Sequence, residues 1–407
     1  MKRYVIIGGG VASVGCIEGV RSVDKTGEIV LVAGEGVPVY CRPLISYYLE
    51  GKTNLAKMKY RPDDFYDKMG CKVLYGKAER IDAEQRRVYV DGQPLDYDEL
   101  CLATGSTPFV PPFAGLDTVP VRTGFMTEAD ALYLDSVLTP TSRVLIVGAG
   151  LIGLKCAEGI ADRVAKVTVC DLADRVLSSI LDAPCAARMQ RVLETHGVEF
   201  YLSNSVGGFD GTVATLQDGT EIEFDVLVTA VGVRANVGLV KGIADVDRGV
   251  LANTEQATSA AHIYAAGDCC QGYDASIAGQ RVVAILPNAY MQGHTAGVNM
   301  AGGSASFDKG MPLNAIGFFG YHALTAGAYR GEMTEIVSGD NVKRLFVEDG
   351  RLVGFMLLGD VERAGILTAM VRDKAPVTAE MLEMLKKSLS LEGLSAQKRK
   401  EILGGVV

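Results

Sequence analysis

RVLIVGAGLIGLKCAEGIADRVAKVTVCD, residues 143–171, is the stretch from which the rest of the chain can be read. Residues 144–147 are a continuous apolar run of strand length, the composition of a parallel strand buried on both faces. Gly148, Gly150 and Gly153 follow at Gly-x-Gly-x-x-Gly spacing, where strand should give way to helix. The first glycine permits the tight turn, the second lets a pyrophosphate approach the backbone, and the third lets helix and strand pack closely. Leu151 and Ile152 open the helix, whose free N–H groups and positive end would hold the anion. One helix later, residues 166–170 make a second strand, and Asp171 at its end is placed to accept hydrogens from the hydroxyls of an adenine ribose. Among 48 glycines a lone glycine pattern carries little weight. Strand, glycines, helix, strand and terminal acid in register predict a dinucleotide-binding unit.

The bounds set by composition agree. A chain of 407 residues should form more than one domain, and 48% hydrophobic with 22% charged residues describes a soluble globular protein. The net charge of -9 argues against nucleic acid as a partner and suits small-molecule chemistry. No apolar run approaches the ~18 residues of a spanning helix, so no membrane association is expected. The glycines at 8, 9 and 10 interrupt the opening segment that would otherwise mimic a signal peptide, and a cytoplasmic protein is expected. Nine cysteines show no Cys-x-x-Cys pair and the four histidines no ligand spacing, so no metal or iron–sulfur site is expected. Most of the cysteines lie in apolar segments and read as small buried hydrophobes.

Residues 4–7 with Gly8, Gly10 and Ser13 repeat the dinucleotide pattern, Ser13 standing where Gly or Ala is usual. A helix over 11–23 leads to a strand over 28–32, and Glu35 just beyond is the candidate for a second adenine ribose. Residues 87–90 and 99–102 flank Asp91-Gly92, a hairpin signal, and 213–216 and 222–229 flank Asp218-Gly219 likewise. Each half then ends in a glycine turn, ATGSTP at 103–108 and AVGV at 230–233, the pattern of a duplicated nucleotide-binding fold. A proline-rich linker at 108–112 separates the halves, and IYAAGD at 263–268 ends a further strand on the carboxylate of Asp268.

The ordered set GGGVAS, ATGSTP, GAGLIG, AVGVRAN and IYAAGD, spread over residues 3–303, resembles the pyridine nucleotide-disulfide oxidoreductases, flavoproteins with two dinucleotide-binding domains. Segments at 39–52, 314–320 and 352–365 are similar to those of NADH:rubredoxin reductases and of the flavin module of assimilatory nitrite reductases. The resemblance implies an α/β fold with two Rossmann-like domains, the NAD domain inserted in the FAD domain, and a small α+β C-terminal domain. The expected division is FAD domain at 1–112, NAD(H) domain at 113–241, FAD domain again at 242–306, and C-terminal domain at 307–407. It further implies that Arg42, Pro43, Ala103, Thr104 and Gly105 contact FAD, that Asp268 meets the ribityl chain, and that Pro287, Asn288 and Ala289 lie near the flavin ring, with Gly232 on the NAD side. A helix over about 290–300 would point its positive end at the flavin. The tail, 378–403, reads as amphipathic helix suited to packing or to a homodimer contact.

Such a protein passes electrons from NADH to FAD and on to a small redox protein, rubredoxin or ferredoxin-like. Nicotinamide gives up a hydride and many carriers take single electrons, so the protein need mainly position the rings, with donor carbon and flavin nitrogen about 3–3.5 Å apart. Asp171 favours NADH over NADPH, because a 2′-phosphate there would meet a carboxylate. Ferredoxin-reducing relatives pair a lysine, in the segment matching 42–47, with a glutamate on the second glycine helix; here Tyr47 and Lys155 stand instead. Lys155 is therefore expected to supply positive charge beside the flavin. Cys41 opens a different route, since NADH oxidases, peroxidases and CoA-disulfide reductases of the family carry a redox cysteine in this neighbourhood, offset by one residue. A third reading is a flavoprotein whose bound nucleotide controls assembly with another protein.

Overall fold

The computed structural model describes residues 1–388. The chain forms two compact units, one of Met1–Phe109, Met126–Glu128 and Val233–Gly310, the other of Val110–Phe125, Ala129–Gly232 and the chain from Met311. In the first, five parallel strands lie in the order Ile263–Ala265, Glu99–Leu102, Arg3–Ile7, Glu28–Ala33, Cys71–Tyr75. The apolar runs are continuous because both faces are covered: Tyr4, Ile6, Ile29 and Leu31 enter one core, and Val5, Ile7, Val30 and Val32 the other.

The helices Val11–Val23 and Leu286–Met300 cover one face and approach until backbone meets backbone. A Cβ on Gly15 or Gly19 would overlap the carbonyl oxygens of Tyr290 or His294, and one on Gly293 or Gly297 those of Ala12 or Cys16. Four glycines, spaced four apart on each helix, thus set the distance between them. Gly293→Ala is expected to cost about 2 kcal/mol through overpacking. Chemical denaturation with an unchanged midpoint would show that the helices can part without cost.

The second unit repeats the first. Its parallel sheet runs Val198–Leu202, Lys166–Asp171, Arg143–Val147, Val226–Thr229, Arg122–Thr123. The repetition reaches single hydrogen bonds. Asp98 accepts from the N–H of Arg3 at 2.6 Å, and Asp225 from that of Arg143 at 2.8 Å, each carboxylate pinning the first residue of a central strand.

Both hairpin expectations need the same correction. Asp91-Gly92 joins Arg87–Val90 to a polar strand, Gln93–Asp96, and Val213–Leu216 pairs with Glu221–Glu223. Glu99–Leu102 and Val226–Thr229 belong to the parallel sheets instead, buried at all four positions. The short partners were concealed by their polarity and by Pro94, which an edge strand tolerates. The late helix also begins earlier than expected, at Leu286, because Pro287 in the first turn forfeits an N–H that has no helical partner anyway.

From Leu313 the second unit carries a five-stranded antiparallel sheet, in the order Leu313–Phe318, Tyr321–Gly327, Arg351–Leu358, Asn341–Glu348, Glu332–Ser338, against the helix Ala364–Arg372. Asp349 and Gly350, at φ 49° and 67°, make the tight turn between two of its strands. Of the expected tail, Ala379–Lys387 is helical, and the remainder lies outside the described residues.

Candidate cofactor sites

In the first unit the glycine turn is built by backbone. The Gly8 N–H donates to the Val32 carbonyl at 2.8 Å, and a Cβ at Gly8, whose φ is 118°, would overlap the Ala103 carbonyl oxygen. Gly10 caps the Val11–Val23 helix without a side-chain cap, and a Cβ there would meet nothing within 4 Å. The end of the helix is therefore open to an anion, as a pyrophosphate requires. Ser13 is fully buried, and its hydroxyl donates to the Gly10 carbonyl at 2.6 Å.

Around that turn stand the other expected residues of this unit. Asn236 locks Ala103, Thr104 and Gly105: its side chain donates to the Thr104 carbonyl at 2.8 Å, its carbonyl accepts from the Thr104 hydroxyl at 2.8 Å, and its N–H donates to Gly105. Asp268 follows Gly267, whose N–H donates to the Gln292 side chain at 2.9 Å. Burial pushes the Asp268 carboxyl up, against the Ser106 hydroxyl that donates to it at 3.1 Å. Pro287, Asn288 and Ala289 form the first turn of the Leu286–Met300 helix, and the buried Asn288 Nδ2 has no hydrogen-bond partner among the described residues. An orphaned donor in a helix's first turn, a half-buried carboxylate and an open glycine turn suit a flavin dinucleotide, which presents carbonyl, hydroxyl and phosphate groups. Glu35 ends beside Arg42 in an ion pair, and Pro43 precedes the Leu44–Leu49 helix.

The second unit reproduces the arrangement. The Gly148 N–H donates to Cys170 at 2.8 Å, a Cβ at Gly148 would overlap the Ala230 carbonyl, and a Cβ at Gly153 would overlap the Gly148 carbonyl. Gly150 caps the Leu151–Ile160 helix, again with open space above it, and Leu151 and Ile152 are half-buried at its start. Asp171 ends its strand with one oxygen accepting from the Ala149 N–H at 2.6 Å and the other from the Ala173 N–H at 2.7 Å. The carboxylate is thereby aimed, and its remaining lone pairs can take ribose hydroxyls. Gly232, at φ 122°, ends the equivalent of the Ala103–Gly105 turn. These groups fit NADH.

Lys155 and Cys41, the two candidates for chemistry, each meet neighbours within their own unit. The Lys155 ammonium is shared between Glu158 at 2.5 Å and the Gly317 carbonyl at 2.7 Å, over the Phe318 ring. Glu158 in turn accepts from the Phe319 N–H at 2.7 Å, so the pair ties the glycine helix to the antiparallel sheet of its own unit. Burial pushes the Cys41 thiol up, outweighing the Leu44 N–H that favours a thiolate, and the neighbouring Arg42 is engaged by Glu35 and Tyr40. The other eight cysteines are free and buried. Sequence reasoning passed over Glu158, Asn236, Gln292 and Tyr40. Tyr40, Glu158 and Asn236 lie inside stretches singled out above, Glu158 three residues from Lys155 on the glycine helix; Gln292 carries no spacing that marks it.

Among the described residues, no group of three or more His, Cys, Asp or Glu side chains could hold a metal, and no helix is long and apolar enough to cross a membrane.

A family model described as pyridine nucleotide-disulphide oxidoreductase matches residues 2–293. The NADH-dependent phenylglyoxylate dehydrogenase subunit epsilon of Aromatoleum evansii is 29% identical, over 92% of this chain and 93% of its own. The rubredoxin-NAD(+) reductase of Alcanivorax borkumensis is 29% identical, over 88% of this chain and 96% of its own. A crystal structure of the covalent putidaredoxin reductase-putidaredoxin complex superposes with a TM-score of 0.86 at 25% identity, covering 94% of this chain and 95% of the other.

Proposed function

The chain belongs to the pyridine nucleotide-disulphide oxidoreductase family, with FAD and NADH as its cofactors, and from that premise we propose that it passes electrons from NADH to a small redox protein, rubredoxin first among candidates. The observation that carries this reading is the duplicated glycine turn, each copy an uncapped helix end with open space above it. Bound FAD supplies the exchange between a two-electron donor and a one-electron acceptor.

The chain's own residues do the rest. Gly8 makes the tight turn, Gly10 leaves the first N–H groups of the Val11–Val23 helix open to the FAD pyrophosphate, and Ser13 braces that turn through its hydroxyl. Glu35 and Arg42 meet the adenosine half, and Asp268 takes the ribityl hydroxyl. Ala103, Thr104 and Gly105 border the cofactor, and Pro43 sets the direction of the chain beside it. Asn288, with Pro287 and Ala289 beside it, would offer its orphaned amide to a carbonyl of the ring. In the other unit Gly148, Gly150, Leu151, Ile152, Gly153 and Gly232 shape the cleft for NADH, and Asp171 selects the ribose that bears a free 2′-hydroxyl. Lys155, neutralised by Glu158, fixes the glycine helix rather than charging a ring.

The experiment is steady-state NADH oxidation with a panel of rubredoxins, ferredoxins, disulfides, peroxide and oxygen, on the wild type and on Cys41→Ser. Reduction of a protein carrier within about twofold of wild type is expected for Cys41→Ser, since burial disfavours the thiolate that a thiol route would need. Turnover of a disulfide or peroxide that vanishes with Cys41 would instead establish the thiol route. A second reading is favoured by the relative that is a dehydrogenase subunit: the chain would exchange electrons with a partner subunit. Slow turnover with every free acceptor, and association that depends on nucleotide, would favour it.

A further inference from the structure

We propose that Tyr40 is the positioning residue of the FAD cradle, its hydroxyl holding Glu35 and Arg42 where they meet the adenosine half of the cofactor. The inference rests on the reading of Glu35 and Arg42 as FAD ligands, and it concerns what orients them.

A phenol offers one hydrogen and two lone pairs. All three are used. The Tyr40 hydroxyl donates to a Glu35 carboxylate oxygen at 3.0 Å, accepts from Nη1 of Arg42 at 2.9 Å, and accepts from the Glu128 N–H at 2.9 Å. The Arg42 guanidinium also lies over the Tyr40 ring, 5.2 Å from its centre, and its Nη1 donates to the Met126 carbonyl at 3.2 Å. Tyr40 itself is 6% exposed, and burial pushes the phenol up to about 12, so it remains a neutral hydroxyl able to donate and accept.

The backbone that carries Tyr40 is held from both sides. Tyr40 bridges antiparallel to Lys59, the Cys41 N–H donates to Met58 at 2.8 Å, and the Tyr60 N–H donates to Val39 at 3.0 Å. Glu35 and Arg42, by contrast, have side chains 42% and 31% exposed. A partly exposed ion pair has many geometries of similar energy and gains little from any one of them. Three fixed hydrogen bonds through one buried hydroxyl select a single geometry, while both charged groups keep lone pairs and N–H donors for a ligand. Arg42 and the Tyr40 hydroxyl also hold the two ends of Met126–Glu128, which belongs to the first unit.

The test is FAD affinity of the reconstituted full chain in two backgrounds. Tyr40→Phe keeps the ring and removes the hydroxyl. In the wild-type background it is expected to weaken FAD by about ten- to a hundredfold, the scale of a lost hydrogen bond to a charged group. In the Glu35→Gln/Arg42→Met background the same change should cost less than about twofold, because a residue that acts through those two has nothing left to position. An equal loss in both backgrounds would make Tyr40 a general packing residue and overturn the proposal, as would no loss in the wild type. Wild-type FAD affinity in Glu35→Gln/Arg42→Met would sink the underlying ligand reading instead. If Tyr40→Phe does not accumulate folded, Tyr40→His, which keeps a ring with one donor and one acceptor, is measured in its place with the same comparison deciding.

Discussion

Gly10→Val is expected to give a folded chain that retains no flavin. At Gly10 the backbone has φ of -92°, ordinary for any residue, and the added Cβ meets nothing within 4 Å. The fold therefore has little reason to object. The isopropyl group, however, fills the space over the open N–H groups of the Val11–Val23 helix, where a pyrophosphate has to come. FAD affinity should fall by more than about a hundredfold, with several charge-assisted hydrogen bonds lost together, while the thermal midpoint of the apoprotein moves by no more than about 3 °C. Gly8→Val makes the contrast, because its φ of 118° and the Ala103 carbonyl leave no room for a side chain, and there the fold itself should suffer. Titration of apoprotein with FAD, beside thermal unfolding, reads both. A Gly10→Val protein that binds FAD as the wild type does would remove the first glycine turn from the cofactor site.

Asp171→Ala should raise the KM for NADH by one to two orders of magnitude with the flavin untouched. Each oxygen of this carboxylate accepts from a backbone N–H, Ala149 within the glycine turn and Ala173 just beyond the strand, so the group is both aimed and part of the turn's own support. Loss of a hydrogen bond to a charged group costs ~1.5–3 kcal/mol, and ~1.4 kcal/mol is tenfold. NADPH should gain relative to NADH, since the carboxylate that repels a 2′-phosphate is gone. The gain is limited, because Arg175, the nearest candidate for a phosphate partner in sequence, is engaged by the Leu181 carbonyl at 3.1 Å and by Asp174 at 2.6 Å. Asp171→Asn, which keeps an acceptor but no charge, belongs between the two. KM values for both nucleotides at saturating acceptor settle the matter, and a NADH KM equal to that of the wild type would refute the assignment.

How much of this was legible beforehand follows from how local each cause is. The strand-glycine-helix turns were readable because a turn with φ near 120°, a helix end without a cap and a strand buried on both faces each demand particular residues within a few positions. The late helix was placed four residues short, since its first turn contains a proline that pattern reading treats as a boundary. The polar hairpin strands Gln93–Asp96 and Glu221–Glu223 left no apolar rhythm, and their buried successors were taken for them. Glu158 stands three residues beyond Lys155 on the same helix, but nothing in the chain near them announces that the Gly317 carbonyl, 162 positions away, meets the same ammonium.

The order of residues alone determined two dinucleotide folds, their duplication and the acid that ends the second strand of the latter, because each of these is written in short-range spacing. Tertiary structure alone decided which distant groups meet: Arg42 with the Met126 carbonyl, Lys155 with the Gly317 carbonyl, Asn236 with Thr104, and the burial that pushes the Cys41 thiol up. The physical reason is reach. Backbone preferences act over one or two turns of chain, whereas desolvation and hydrogen bonding depend on whichever distant segments the sheets bring alongside.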